Sequence, residues 1–158
     1  MIIIDGHNLL HAINKIEEDY GAISDVGLCR ILGGYLKLTG QKGEIIFDGT
    51  GPPEKSGFDN IRDLEVFFAG SNTDTDTVIE QKIHASTAPR RLTIISSDRR
   101  LRNAARTRKA ISVKSEIFWN NMQKQINRKR PTKEPAEKRR GISSSETKQW
   151  LEFFGLDK

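Results

Sequence analysis

The chain has little that would tie it to an oxidising compartment, a membrane or a familiar cofactor site. It holds one cysteine in 158 residues, Cys29, so no internal disulfide can form. Leu28 and Ile31 beside it fit a helical pattern, and a buried core thiol is expected. No run approaches 18 consecutive apolar residues, so no transmembrane helix is predicted. Met1-Ile2-Ile3-Ile4-Asp5 offers neither a basic n-region nor a small-residue cleavage site. No signal peptide is therefore expected, and a cytoplasmic location is the default. No Gly-Lys-Ser/Thr follows an apolar run, which excludes a P-loop. No Cys/His spacing suits zinc, and His7, His11 and His84 are too scattered for a metal triad. There is no internal repeat, and the length suits one domain with its own core.

Charge, by contrast, is abundant and uneven. The net charge is +5, yet residues 1–89 hold 7 Lys/Arg against 14 Asp/Glu, and residues 90–140 hold 17 against 4. An acidic half followed by a basic segment suggests a polyanionic partner; a merely solvated basic face is the plainer alternative.

Apolar periodicity predicts alternating strands and helices. Ile2–Ile4 reads as a strand, followed by a helix through Leu9, Leu10, Ile13 and Ile16, with Glu17, Glu18 and Asp19 beyond. Ser24 is placed to cap a second helix that Gly40 would stop, although Gly33-Gly34 inside it is unfavourable by about 1 kcal/mol each. Glu44–Phe47, Leu64–Ala69, Leu92–Ile95 and Ala110–Val113 read as further strands, with a loop at Gly49-Thr50-Gly51-Pro52-Pro53. Thr73 or Asp74 caps a helix ending near Pro89, Asp98 opens an arginine-rich helix, and another starts at Ser115. This alternation predicts an α/β fold with a mainly parallel sheet of about five strands.

Four of the apolar runs stop at or just before aspartates: Asp5, Asp48, Asp98, and the pair Asp74 and Asp76. In a parallel sheet these ends share one edge, where open α/β sheets bind ligands. Like charges at about 4 Å repel by roughly 1 kcal/mol in water and about 4 at an effective dielectric of 20. A divalent cation removes that cost, and hard oxygen ligands suit Mg²⁺ or Mn²⁺.

Asp5 and Asn8, three residues apart around Gly6, can face one site: the carboxylate toward a metal, the amide toward a water or a phosphate oxygen. Either could instead only cap the helix. Asp74 and Asp76 cannot both point inward from a helix start, and Glu80 shares a helical face with Asp76. Ser96 and Ser97 are small enough for close ligand approach beside Asp98. Arg99, Arg100, Arg102, Arg106, Arg108 and Lys109 follow. Acids for a metal beside arginines for phosphate is the pairing that phosphodiester hydrolysis needs. Phe47-Asp48-Gly49-Thr50 resembles the haloacid-dehalogenase nucleophile motif. That motif requires an aspartate where this chain has Ile46, so a covalent phosphatase is excluded and Asp48 is left at the rim. His7 could touch the substrate.

With these residues in view, the chain resembles the YacP-like branch of the NYN ribonucleases, relatives of PIN-domain nucleases. Ile3-Ile4-Asp5-Gly6-His7-Asn8 is similar to the family's opening motif. Asp74-Thr75-Asp76-Thr77-Val78-Ile79-Glu80 is similar to its second acidic motif, although the family usually has Ala in place of Thr75. Ser96-Ser97-Asp98 before a basic helix resembles its third. The likeness covers about residues 1–120, with the tail from about 121 outside it.

The resemblance implies a PIN-like (NYN) three-layer sandwich and metal-dependent cleavage of RNA, and an endonuclease is expected. Asp5, Asp76 and Asp98 would bind Mg²⁺ or Mn²⁺ and Asn8 would assist, with Ser96, Ser97, Arg99, Arg100, Arg102 and Arg106 on the substrate. The rival is a non-catalytic RNA- or ribosome-binding module that keeps the fold. Residues 1–126 form the expected nuclease domain. Residues 127–142 read as a basic flexible linker. Residues 143–158 read as a short helix with a capping box at Ser143 and with Trp150, Phe153 and Phe154. Those aromatics would allow a homodimer, which is not predicted.

Overall fold

A computed structural model describes residues 1–16 and 23–129. Glu17, Glu18 and Asp19, residues 130–142 of the expected linker and the expected helix at 143–158 lie outside the described residues. Five strands form one sheet: β1 (Ile2–Asp5), β2 (Gly43–Phe47), β3 (Leu64–Phe68), β4 (Thr93–Ile95) and β5 (Ile111–Val113). Their order is β3-β2-β1-β4-β5, and every neighbouring pair is parallel. The helices are α1 (Gly6–Ile16), α2 (Asp25–Thr39), α3 (Thr75–Ala85), α4 (Arg99–Thr107) and α5 (Ser115–Lys129).

The strands are short and apolar because both faces are covered. Alternation sends Ile2, Ile4, Ile45, Phe47 and Ile95 into one core with Leu9, Leu32, Trp119 and Ile126 from α1, α2 and α5. Ile3, Ile46 and Ile94 enter the other core with Ile79 and Ile83 of α3 and with Leu101 and Ala105 of α4. The result is the expected three-layer sandwich. Cys29 is fully buried in the first core.

Local chemistry sets the element ends. The Ser24 hydroxyl accepts the Gly27 N–H at 2.9 Å, and Gly40, at φ 69°, closes α2. A Cβ on Gly33 would come within 2.5 Å of Ile61 Cγ2, so close packing of the loop before β3 explains a glycine that helix propensity disfavours. The expected end of α3 near Pro89 is corrected to Ala85. Ser86 is already extended, and the Arg108 guanidinium donates to the His84 and Ser86 carbonyls at 3.4 and 3.0 Å, closing the helix from outside. Helix α5 continues to Lys129, three residues into the stretch read as linker, because Ile126 remains fully buried and holds its last turns.

Strand order positions the site. From β1 the chain fills β2 and β3 on one side, then crosses to β4 and β5 on the other. The order of filling reverses between β1 and β4, and the carboxyl ends at such a switch point are where open α/β sheets form their ligand crevice. Asp5 ends β1, and Ser96 follows β4 directly.

Candidate active site

Asp5 lies at that crevice with only 6% of its surface exposed. Alternation along β1 puts it on the face of Ile3, toward α3 and α4. Burial pushes its carboxyl up from 3.8 to about 6, and the charges of Asp76 and Asp48 push the same way. The Ser96 hydroxyl, donating to Oδ2 at 3.1 Å, and the Asn8 backbone N–H oppose the rise. Gly6 is needed here for space rather than for a positive φ. A Cβ would stand 2.5 Å from the fully buried Phe47 ring.

The second acidic motif divides as the helix start requires. Asp74 caps α3, accepting the Thr77 N–H at 2.7 Å, and that bond lowers its pKa. Asp76, in the first turn and half-buried, is near enough to feel the charges of Asp98, Asp74 and Asp48. Desolvation raises its pKa, with Asp98 the next cause, while Arg100 pulls it down. Asp48 is more than a rim residue. Its Oδ1 accepts the Thr75 N–H at 3.0 Å and the Thr75 hydroxyl at 2.6 Å, which lowers its pKa and ties the end of β2 to α3. Thr75, at the position where the related motif usually has alanine, supplies that hydroxyl.

Asp98 stands one hydroxyl away from Asp5. The Asp98 N–H donates to Ser96 Oγ at 3.1 Å, the same oxygen that donates to Asp5. Its own carboxylate caps α4, accepting from the Arg100 and Leu101 N–H groups at 2.8 and 3.4 Å. Asp5, Asp76 and Asp98 are thus drawn to one edge, with Asp48 beside them. Among the described residues, however, no three acidic, histidine or cysteine side chains lie close enough to hold a metal ion as they stand.

The remaining candidates have mixed roles. Arg100 pairs with Glu80 and reaches Thr77 Oγ1 at 3.3 Å, so it joins α4 to α3. Arg99, Arg102 and Arg106 form no ion pair with a described residue, and Arg99 and Arg106 are exposed. Asn8 Oδ1 accepts from the Ser97 N–H at 2.9 Å and the Ser115 hydroxyl at 2.7 Å. Ser97 Oγ donates to Glu116 at 2.6 Å and accepts the Ser115 N–H at 3.1 Å. His7 sits at the rim, 3.7 Å from Asp48 and 3.8 Å from Asp25, with its ring against Phe47. Ser115, Glu116 and Thr75 escaped the sequence reading. The strand-end rule finds the first two once it is applied to β5, which stops two residues before Ser115.

Comparisons with known proteins agree with this layout. Crystal structures of Rae1 (YacP) from Bacillus subtilis superpose with a TM-score of 0.61 at 20% identity, covering 81% of this chain and 78% of that one. A tryptophan-to-leucine mutant of the same protein gives 0.59 at 19% identity, covering 80% and 79%. At that identity the likeness speaks for the fold. No curated protein sequence matches the chain. The family model of the YacP-like NYN domain matches residues 2–153, well past the point near residue 120 where the motif likeness stops. The strand-end aspartates, the switch-point crevice and this match across nearly the whole length lead to one assignment: the chain belongs to the YacP-like NYN domain family.

Proposed function

We propose that the protein is a Mg²⁺- or Mn²⁺-dependent ribonuclease that hydrolyses RNA phosphodiester bonds endonucleolytically. Membership of a nuclease-type family supports an RNase-type function. The observation that carries the finer reading is Asp5, a buried carboxylate raised to about 6 and repelled by Asp76 and Asp48 at the ligand-binding edge. Such a group is poised for a cation.

Asp5, Asp76 and Asp98 would hold the ion. Their oxygens match a hard divalent metal, and Mg²⁺ characteristically takes one or two carboxylates and leaves the rest to water and substrate phosphate. That habit accommodates three acids that share an edge without forming a closed cage. When bound, the metal supplies activation of water and stabilisation of the leaving oxygen. The protein's part is orientation. Ser96 fixes the Asp5 carboxylate, the α3 and α4 N-termini present Asp76 and Asp98, and Arg99, Arg102 and Arg106 grip non-bridging phosphate oxygens.

The test is Asp5→Asn, with Asp76→Asn as the second probe, on a labelled single-stranded RNA with Mn²⁺. The amide still accepts from Ser96, so folding is retained. Cleavage is expected to fall by at least about 10²-fold, the scale on which electrostatic groups act. Unchanged cleavage in a folded Asp5→Asn variant refutes the mechanism. The open arrangement of the acids favours one other reading, an RNA- or ribosome-binding module without catalysis. That reading predicts RNA binding with no cleavage and no metal response.

A further inference from the structure

We infer that Glu116 is a positioning residue for the nuclease site, acting through the Ser97 hydroxyl on the turn that carries Ser96 and Asp98. The inference rests on the nuclease reading above. The turn after β4 is pinned on two sides. On one, Ser96 Oγ joins Asp5 to the Asp98 backbone, both at 3.1 Å. On the other, Ser97 Oγ donates to Glu116 Oε2 at 2.6 Å and accepts the Ser115 N–H at 3.1 Å. Asn8 Oδ1 closes the clamp by accepting from both the Ser97 N–H and the Ser115 hydroxyl. Three segments far apart in sequence, the starts of α1, α4 and α5, meet at two consecutive serines.

An acid in a first helical turn is ordinarily explained by the helix dipole alone. Glu116 does more, because its carboxylate reaches a hydroxyl 19 residues back in a short charge-assisted bond. That bond fixes the Ser97 hydroxyl, which then has one role as donor and one as acceptor, both filled. The backbone between Ser97 and Ser96 cannot rotate without breaking it. Ser96 is fully buried and has no room to find another orientation. Without Glu116 the outer side of the turn keeps its bonds to Ser115 and Asn8 but loses the short charge-assisted one, and the Asp5–Ser96–Asp98 relation loosens with it. Ser96 is a direct partner of Asp5, the kind of residue whose loss typically costs about 10- to 100-fold, and Glu116 acts on it through Ser97.

The experiment compares the full chain with Glu116→Ala, Glu116→Asp and Glu116→Gln. Alanine removes the acceptor. Aspartate keeps the charge in the first turn but withdraws the oxygen by one methylene. Glutamine keeps an acceptor oxygen at full length. We expect kcat to fall about 10- to 100-fold in the alanine and aspartate variants with KM unchanged. Amide exchange at residues 96–98 should quicken in the same two. Glutamine should return both readouts to near the wild-type values. Ser97→Ala also removes the acceptor of the Ser115 N–H and is the larger single loss; adding Glu116→Ala to it should cost little more, because the Ser97–Glu116 bond is then already gone. Should the alanine variant fail to fold, the aspartate and glutamine pair decides. Wild-type kcat or wild-type exchange in Glu116→Asp overturns the inference, as does a fully multiplicative double variant. A wild-type chain that cleaves no RNA sinks the nuclease reading instead, and the exchange contrast then decides the clamp on its own.

Discussion

At the scale of single residues, a tension lies between folding and function in Asp5. Its carboxyl titrates at about 6 when folded and near 3.8 when unfolded. Between those values the folded chain holds a proton that the unfolded chain has released. Stability of the metal-free protein therefore falls as pH rises through that window, by about 3 kcal/mol once both states are ionised. Asp76 shifts in the same direction, whereas Asp48, Asp74 and Glu116 are lowered and oppose it at the acid end. Comparing wild type with Asp5→Asn isolates the one group. Urea denaturation should find the variant more stable at pH 7, with most of the difference gone by pH 4 and the rest below pH 3.8; a difference independent of pH would contradict the assignment. Cys29 offers a second check. Burial pushes its thiol to about 12, so an aromatic disulfide reagent should label it only on unfolding, and rapid stoichiometric labelling of the native chain would show otherwise. The identity of these residues was legible because a chemically distinctive group follows an apolar run. Their division of labour was not. Which of Asp74 and Asp76 caps α3 turns on a local bond to the Thr77 N–H that either register of the helix start would allow, and whether Asn8 faces a substrate or clamps a turn depends on bonds to residues 89 or more positions away.

At the scale of elements, periodicity and capping chemistry carried most of the reading. Strand boundaries agree within a residue, and Ser24, Gly40, Asp74 and Asp98 sit where cap preferences put them. What escaped were features made by neighbours: Gly33 is explained by Ile61, Gly6 by Phe47, and the early end of α3 by Arg108. These explanations predict signs. Gly6→Ala gains helix propensity but drives a methyl into the Phe47 ring, so it should destabilise by about 1–3 kcal/mol in urea. A neutral or stabilising outcome would mean that the β1–α1 joint has slack. Asp98 serves two elements at once. Asp98→Asn keeps an acceptor for the α4 N-terminus, and Asp98→Ala does not. Both should lose cleavage, but only alanine should also lower stability, by about 1 kcal/mol. Equal melting temperatures would show that the cap adds nothing.

At the scale of the whole molecule, the sheet order and the charge division argue for the same surface. The reversal between β1 and β4 gathers acids at the carboxyl edge, and α4 sets arginines directly behind Asp98. The sequence already displayed the asymmetry, but only the strand order brings the acidic half and the start of the basic half to one crevice. If about six phosphates are contacted, RNA affinity should drop about 10³-fold between 50 and 200 mM salt, and a flat profile would remove the arginines from the interface. The most direct measurement on the central claim is the thermal shift that Mn²⁺ produces in wild type and in Asp5→Asn. A cation held by these acids should stabilise wild type by about 2.7 kcal/mol at a concentration 100-fold above its Kd, and the variant by much less. Equal shifts in the two proteins, or no shift at millimolar Mn²⁺ in either, would contradict it.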